Sequence, residues 1–385
     1  MVKASGKTSS NVQDQTLNQL RQLEPLLLAN TPFLDVRAEI EFAKGSIPNA
    51  YNAPILTTAE RHEVGTVYKQ QGQAQAIELG HKLVSGAEKQ RRVELWCELA
   101  SQHQAQGRDV HLFCWRGGMR SNLAQQWMAE VGVQVPLIAG GYKALRNTVL
   151  QQFDGIDDRS VVVIGGKTGT AKTPLINAVA TGVDLEGFAH HRGSSFGRRV
   201  QEPPCQVNFE NTLGVDILRK SLQRGGRPLV FEDESRMIGP LSIPLPLWRR
   251  MECAAIAVVE MPLEFRVQRI LEEYVQDQLS DHLAVDPDNG EENYRQHLLD
   301  SLHRVRKRLG RENYDKYRSI LNDAINYQLS NGDVSYHRQW IAGLLNEYYD
   351  PMYEYQLAKK RERVVFQGDF NQVKEWVEQV SLRVD

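Results

Sequence analysis

The chain has 385 residues, a hydrophobic fraction of 41%, a charged fraction of 24% and a formal net charge of −2. Such a length predicts two or three domains, and the near-neutral balance excludes wholesale attraction to nucleic acid, so any RNA partner has to be held by a local basic patch. No apolar run reaches membrane-spanning length, the first residues (MVKASGKTSSNVQDQ) lack a signal-peptide core, and Cys97, Cys114, Cys205 and Cys253 are scattered without a CxxC pair. A cytoplasmic protein without a disulfide framework or a zinc centre is therefore expected.

Residues 1–150 form the first predicted domain. A helix is predicted over Thr16–Glu24, stopped near Pro25, followed by a strand over Thr31–Arg37. Asp35 and Arg37 at its end would pin neighbouring loops by hydrogen bonds, a structural role. The run FLDVRAEIEFAKGSIPNAYNAP resembles the opening segment of the rhodanese family. Glu63–Val84 reads as an insertion whose polar side chains suit either substrate contact or a solvated helix.

The chemistry of this domain is expected in VHLFCWRGGMRS, Val110–Ser121, where an apolar strand runs into Cys114, a Gly117-Gly118 turn, and Arg120 and Ser121 at a helix start. A thiol facing a helix N-terminus and ringed by backbone N–H groups has its thiolate stabilised. Arg116 and Arg120 would add positive charge. The same cradle favours a terminal persulfide or perselenide, the state in which rhodaneses carry a chalcogen. The C-x5-R spacing from Cys114 to Arg120 also matches cysteine phosphatases, but Phe113 stands where they place His and no general-acid Asp is in the loop. Cys97 reads as packing. GGYKALR, Gly140–Arg146, closes the domain, and 151–159 is a linker.

A phosphate-binding domain is predicted over 160–260. Val161–Ile164 reads as a buried parallel strand, and Gly166, Lys167, Thr168, Gly169, Thr170, Ala171, Lys172 and Thr173 follow with the spacing G-x-x-x-x-G-K-[ST], except that Ala171 replaces the second glycine. Backbone N–H groups would converge on an anion, with Lys172 as the neutralising ammonium and Thr173 meeting a phosphate or a magnesium ion. Ala171 is expected either to alter the loop slightly or to sit at a right-handed helical dihedral. Asp233, ending the apolar strand of RPLVFEDESR, is the expected acidic partner for magnesium, with Glu232 and Glu234 on the opposite strand face. Between these motifs, GVDLEGFAHHRGSSFGR has no apolar periodicity and reads as a substrate loop in which Asp184, Glu186, His191, Arg192 and Arg198, with Arg236 beyond, could bind phosphate, metal or base. With a further strand at 254–260, the fold class is α/β, a doubly wound parallel sheet with the ligand at its C-terminal edge.

Residues 261–361 turn helical. Leu298, Leu302, Val305 and Leu309 make one apolar face, opposite Arg304, Arg306, Lys307, Arg308 and Arg311; Lys359, Lys360 and Arg361 follow a tyrosine-rich run. Basic charge among tyrosines suits RNA phosphates and unstacked bases, and a solvated helix face explains the first cluster equally well. Residues 362–385 are expected to return a last strand and helix to the sheet.

Taken together, FCWRGGMRS, GGYKALR, GGKTGTAKT, DLEGFAHHRGSSFG, FEDESRMIG and EYYDPMY resemble the bacterial tRNA 2-selenouridine synthase family along nearly the whole chain. The resemblance implies a rhodanese-like domain fused to a P-loop domain. It further implies a transferase acting on wobble 2-thiouridine of tRNA, which attaches a geranyl group from geranyl diphosphate to the sulfur and then exchanges it for selenium from selenophosphate. Selenophosphate synthase is then the expected supplier and tRNA the partner. Cys114 matches the family's rhodanese cysteine, and Gly166–Thr173 its phosphate loop. No tightly bound cofactor is expected, with magnesium optional at the loop. A rhodanese-regulated, ATP-dependent small-molecule kinase and a tRNA-binding scaffold are the competing readings.

Overall fold

In the computed structural model the described residues are 22–380. They form two compact units, one containing the chain up to Phe153 together with Cys205–Arg219, the other Asp154–Pro204 together with the chain from Lys220. Of the helix predicted over Thr16–Glu24, all but the last residues lie outside the described residues. Glu24–Leu28 is helical with Pro25 in its first turn; a missing N–H costs nothing there, so Pro25 opens a helix instead of stopping one.

The first unit is a rhodanese-like α/β fold. Strands β1 (Phe33–Asp35), β2 (Ala50–Asn52) and β3 (His111–Phe113) make a parallel sheet in the order β2-β1-β3. Asp35 and Arg37 are fully buried as an ion pair, and Arg37 also donates to the Gly45 carbonyl at 2.8 Å and lies 3.8 Å over the Tyr142 ring. Two helices, Thr58–Gln71 and Gln73–Leu83, occupy the insertion, turned at Gly72 by a φ of 93° that glycine adopts without strain. Helices Gly86–Gln104, Met119–Glu130 and Gly141–Asp154 complete the unit around stacked Trp96 and Trp127. The start of the helix Gln206–Gln223 joins the same unit: Asn208 accepts from the Ser46 N–H at 2.7 Å, and Asn211 donates to the Ser46 carbonyl at 2.6 Å.

The second unit is a five-stranded, wholly parallel sheet in the order β10-β9-β4-β6-β5, with β4 Val161–Gly165, β5 Gly182–Val183, β6 Leu229–Glu232, β9 Ala255–Val259 and β10 Val364–Gly368. Every residue of β4 is buried, as four successive β-branched residues predict for a central strand. The edge strand β5, only two residues long, gives no sequence signal. A small hairpin, β7 Met237–Ile238 with β8 Leu241–Ser242, follows β6. Helices from Leu263 to Lys359 build a separate apolar core in which Leu298, Leu302, Val305 and Leu309 are buried, matching their periodicity. Two π-helical turns, Glu272–Gln276 and Leu345–Tyr349, interrupt these helices. Among the described residues no helix is long and apolar enough to cross a membrane.

Candidate functional site

In the first unit, β3 delivers Cys114 to the mouth of the loop that opens the helix Met119–Glu130. Gly117 takes φ 64°, and a side chain there would press within 2.8 Å of the Ile138 carbonyl. The Cys114 sulfur lies 3.2 Å from the Ser121 hydroxyl. Burial works against ionisation, but the Ser121 hydroxyl and the backbone N–H groups of Ser121, Arg116 and Gly118 outweigh it and hold the thiol below its ordinary pKa. Arg116 thus contributes its backbone, while its side chain is exposed. Arg120 is paired with Glu41 at 2.6 Å and its charge is still felt at Cys114. Cys114 as a residue keeps only 4% of its full exposure. Cys97 is partly buried with a pKa raised by burial, in keeping with packing.

In the second unit, Gly166 leaves β4 with φ 146° and Gly169 follows with φ 82°; a side chain on Gly169 would press within 2.9 Å of the Arg266 carbonyl. Ala171 is left-handed, φ 65° and ψ 38°. That corrects both sequence expectations: the loop keeps the glycine conformation and alanine bears the strain, of order 1–2 kcal/mol. Lys172 turns inward and donates to the carbonyls of Gly166 at 3.0 Å and Lys167 at 3.3 Å. Burial opposes its charge, but Tyr353, Glu186, Glu234 and Glu232 around it prevail and raise its pKa. Lys167 instead pairs with Glu354 at 2.6 Å, and Thr168 offers its carbonyl to Arg266, itself bound to Asp350 by two 2.7 Å contacts.

The acid beside the loop hydroxyl is Glu186, which accepts from Thr173 at 3.0 Å and from the Gly193 N–H. Asp233, expected there, faces away and is held by Lys360 at 2.8 and 3.0 Å. Strand alternation explains the difference: Glu232 and Glu234 share the side of Thr173 and Glu186, and Asp233 lies on the other, in a hollow with Gly166, Lys167 and Thr170. Burial and then repulsion from Glu186 push both Glu232 and Glu234 well above the usual carboxyl range. Thr173 with Glu186 and Glu234 offers the hard oxygen donors that magnesium takes alongside substrate phosphates. Among the described residues no group of three or more His, Cys, Asp or Glu is arranged to hold a metal, these acids included.

These groups line a cavity of about 700 Å³ whose walls include Thr168–Thr173, Asp184, Glu186, Arg192 and Glu234. Of the predicted substrate-loop residues, Asp184 spends one oxygen capping a short helix through the Gly187 N–H, and Arg192 packs over Tyr274 at 5.2 Å. His191 and Arg198 pair by backbone in an isolated bridge, burial lowers the His191 pKa, and neither lines the cavity. Arg236 is exposed beside the small hairpin and outside the cavity. Sequence reasoning missed Arg199, Arg269, Glu272 and Glu273 of its wall; the last two stand on a π turn, which leaves no mark in apolar periodicity.

The basic candidates divide. Arg304 is committed to the Ser195 carbonyl at 2.7 and 3.0 Å, and Lys360 to Asp233. Arg306, Lys307 and Arg361 are exposed, and Arg311, exposed too, lies 3.8 Å from Asp315. Arg308 and Lys359, from the two separate sequence clusters, meet in one shallow groove with Tyr348 and Tyr355, and Lys359 lies 4.1 Å over the Tyr355 ring. A second, smaller hollow of about 280 Å³ adjoins Gly166 and Thr170, with Val258, Val259, Met261, Leu263 and Leu357 on its wall beside the charged Lys167, Asp233, Glu260, Arg266 and Glu354.

Two family descriptions match the chain: "tRNA 2-selenouridine synthase AAA domain" over residues 159–383 and "Rhodanese-like domain" over residues 15–148. The chain is 45% identical over 353 residues to the tRNA 2-selenouridine synthase of Marinobacter nauticus, covering 91% of this chain and 95% of that one. It is 44% identical to that of Pseudomonas fluorescens, covering 93% and 97%, and 46% identical to that of Azotobacter vinelandii, covering 89% and 92%.

Proposed function

Because this chain belongs to the tRNA 2-selenouridine synthase family, we propose that it converts 2-thiouridine at the tRNA wobble position to 2-selenouridine through an S-geranyl intermediate. Geranyl diphosphate and selenophosphate are the co-substrates, the latter supplied by a selenophosphate synthase. One observation carries the reading: a single chain holds two anion cradles of different kind, one of amides around the Cys114 sulfur, the other of amides and an ammonium around the Gly166–Thr173 loop.

In the first reaction the loop binds diphosphate. The thiocarbonyl sulfur forms a bond to the allylic carbon, the carbon–oxygen bond breaks, and diphosphate leaves with the electron pair while the base gives up its N3 proton. Lys172 releases its loop carbonyls to meet that developing charge. Leaving out Glu234, whose carboxyl is pushed well above the usual range, the cavity wall carries five acids (Asp184, Glu186, Glu272, Glu273, Asp277) against four cations (Lys172, Arg192, Arg199, Arg269), a balance that a divalent ion would tip in favour of a bound diphosphate. Thr173 and Glu186, 3.0 Å apart, would hold a magnesium ion, which would supply that charge. In the hollow beside Gly166, Val259, Met261, Leu263 and Leu357 offer the isoprenoid tail apolar contact among charged side chains. In the second reaction selenium is delivered at the selenide level: the Cys114 cradle, which favours an anion, holds the selenium of selenophosphate against C2. A carbon–selenium bond forms there, the geranyl thiolate leaves with the electron pair, and water takes the phosphoryl group. The Arg308, Lys359 and Tyr355 groove offers charge and a stacking face to RNA.

The test is mass spectrometry of wobble nucleosides after incubating the full chain with 2-thiouridine tRNA, geranyl diphosphate, selenophosphate and magnesium. The expected result is transient S-geranyl-2-thiouridine followed by 2-selenouridine, with the first product lost in EDTA. ATP turnover in the absence of tRNA, with neither nucleoside formed, would overturn the reading in favour of a kinase.

A further inference from the structure

The first unit contains a cavity that the phosphate-loop chemistry does not use. It has a volume of about 630 Å³, within the range of small-molecule sites, and lies between the insertion helices Thr58–Gln71 and Gln73–Leu83 and the start of the helix that follows Cys114. Its wall is apolar: Leu56, Val64, Ile77, Leu123 and Trp127, with Met119 more than half exposed at its edge. Arg61, Lys69 and Arg120 stand among them against one acid, Glu41, which pairs with Arg120 at 2.6 Å and Arg61 at 3.4 Å.

Two glycines keep this space open. Gly65 and Gly80 both line the cavity from inside helices, where glycine costs about 1 kcal/mol relative to alanine. A Cβ on Gly65 would meet nothing within 4 Å, and one on Gly80 would only touch Val64 at 4.0 Å. Backbone geometry requires glycine at neither position, since neither has a positive φ. Arg120 joins this wall to the Cys114 cradle, because its charge acts on the sulfur and its side chain lines the cavity.

We propose that this cavity seats the isoprenyl chain of the S-alkylated nucleoside while selenium replaces sulfur at the neighbouring Cys114 cradle. The inference rests on the two-step function above and adds a second apolar seat, distinct from the hollow beside Gly166. In the step it serves, a carbon–selenium bond forms at C2 of the base and the C2–sulfur bond breaks. The isoprenyl thiolate departs with the electron pair and takes a proton. Selenium enters in the selenide state that selenophosphate supplies, water takes the phosphoryl group, and no electrons are exchanged. A seat for the chain binds the leaving group, and the cations around it favour a departing thiolate over a neutral one.

The experiment measures selenouridine formation by the full chain from two tRNAs, one bearing S-geranyl-2-thiouridine and one bearing S-methyl-2-thiouridine, with Gly65→Leu and Ile77→Trp as cavity-filling variants. Leucine is the better helix former, so Gly65→Leu is expected to fold at least as well as the parent, which a melting curve checks. The parent is expected to prefer the geranyl substrate, and both variants to lose that preference by about tenfold or more in kcat/KM, the methyl substrate being unaffected. An unchanged preference, or an equal loss on both substrates, would overturn the seat while leaving the two-step function standing. Failure of the parent to convert S-geranyl tRNA at all would instead overturn the function and the seat with it.

Discussion

The two cradles stabilise anions by opposite means. Around Cys114 the work is done mainly by neutral dipoles, the Ser121 hydroxyl and three backbone N–H groups, while the Arg120 guanidinium is paired with Glu41. Around the Gly166–Thr173 loop a full charge, Lys172, sits among Glu186, Glu232 and Glu234. A cradle of dipoles holds a monoanion without help and responds little to salt. A lysine crowded by acids holds a polyanion only when a cation offsets the carboxylates, and its behaviour depends on which of them carry protons.

Lys172→Ala should break the charged cradle most severely. Removing the ammonium is expected to slow geranyl transfer about 10²- to 10³-fold, comparable to losing a preorganised oxyanion donor, and single-turnover nucleoside analysis would read it. Normal geranyl transfer with selenation lost would contradict the assignment. Ser121→Ala weakens the dipole cradle by one hydrogen bond to the thiolate. Alkylation of Cys114 by iodoacetamide at pH 6, followed by peptide mass spectrometry to separate it from exposed Cys205 and Cys253, should slow about tenfold, with much less change at pH 9. Equal slowing at both values would mean that access had changed and ionisation had not.

Glu234→Gln sharpens the contrast from the acidic side. Because the folded carboxyl is pushed up, its contribution to stability is present below the ordinary carboxyl range and is lost as pH rises toward the raised value. The amide cannot ionise, so in EDTA it should raise Tm by about 4 °C at pH 8, with a smaller gain at pH 5. Ala171→Gly removes the left-handed alanine and should add about 2 °C at either pH without altering nucleotide products. A lower Tm would show that the Ala171 methyl packs usefully, since the residue is 8% exposed.

What could be read from the sequence was what local pattern encodes. Four β-branched residues announced β4, the Cys-x-x-Gly-Gly turn announced the sulfur cradle, and the role of Asp35 with Arg37 followed from their place at a strand end. The loop lysine was legible from spacing, but its metal-side acid was not. Alternation separates Asp233 from Glu232 and Glu234, yet only the fold decides which side faces Thr173, and it brings Glu186 there from 13 residues further on. Arg304 looked like a free cation because its partner, the Ser195 carbonyl, is 109 residues away. The left-handed Ala171 could not be foreseen from propensity, which opposes it. Nor could the return of Cys205–Arg219 to the first unit, since Asn208 and Asn211 carry no sign of Ser46.

The division of labour is tested most directly by mixing two full chains, each blocked at one cradle. Cys114→Ser chain, with its loop intact, and Lys172→Ala chain, with its sulfur cradle intact, are each incubated with 2-thiouridine tRNA, both co-substrates and magnesium, and then together. Alone, the first is expected to stop at S-geranyl-2-thiouridine and the second at unmodified 2-thiouridine. Together they should yield 2-selenouridine, because the intermediate made at one loop can be finished at the other chain's cysteine. Full selenation by Cys114→Ser alone, or none from the mixture once the geranylated intermediate has formed, would contradict the account.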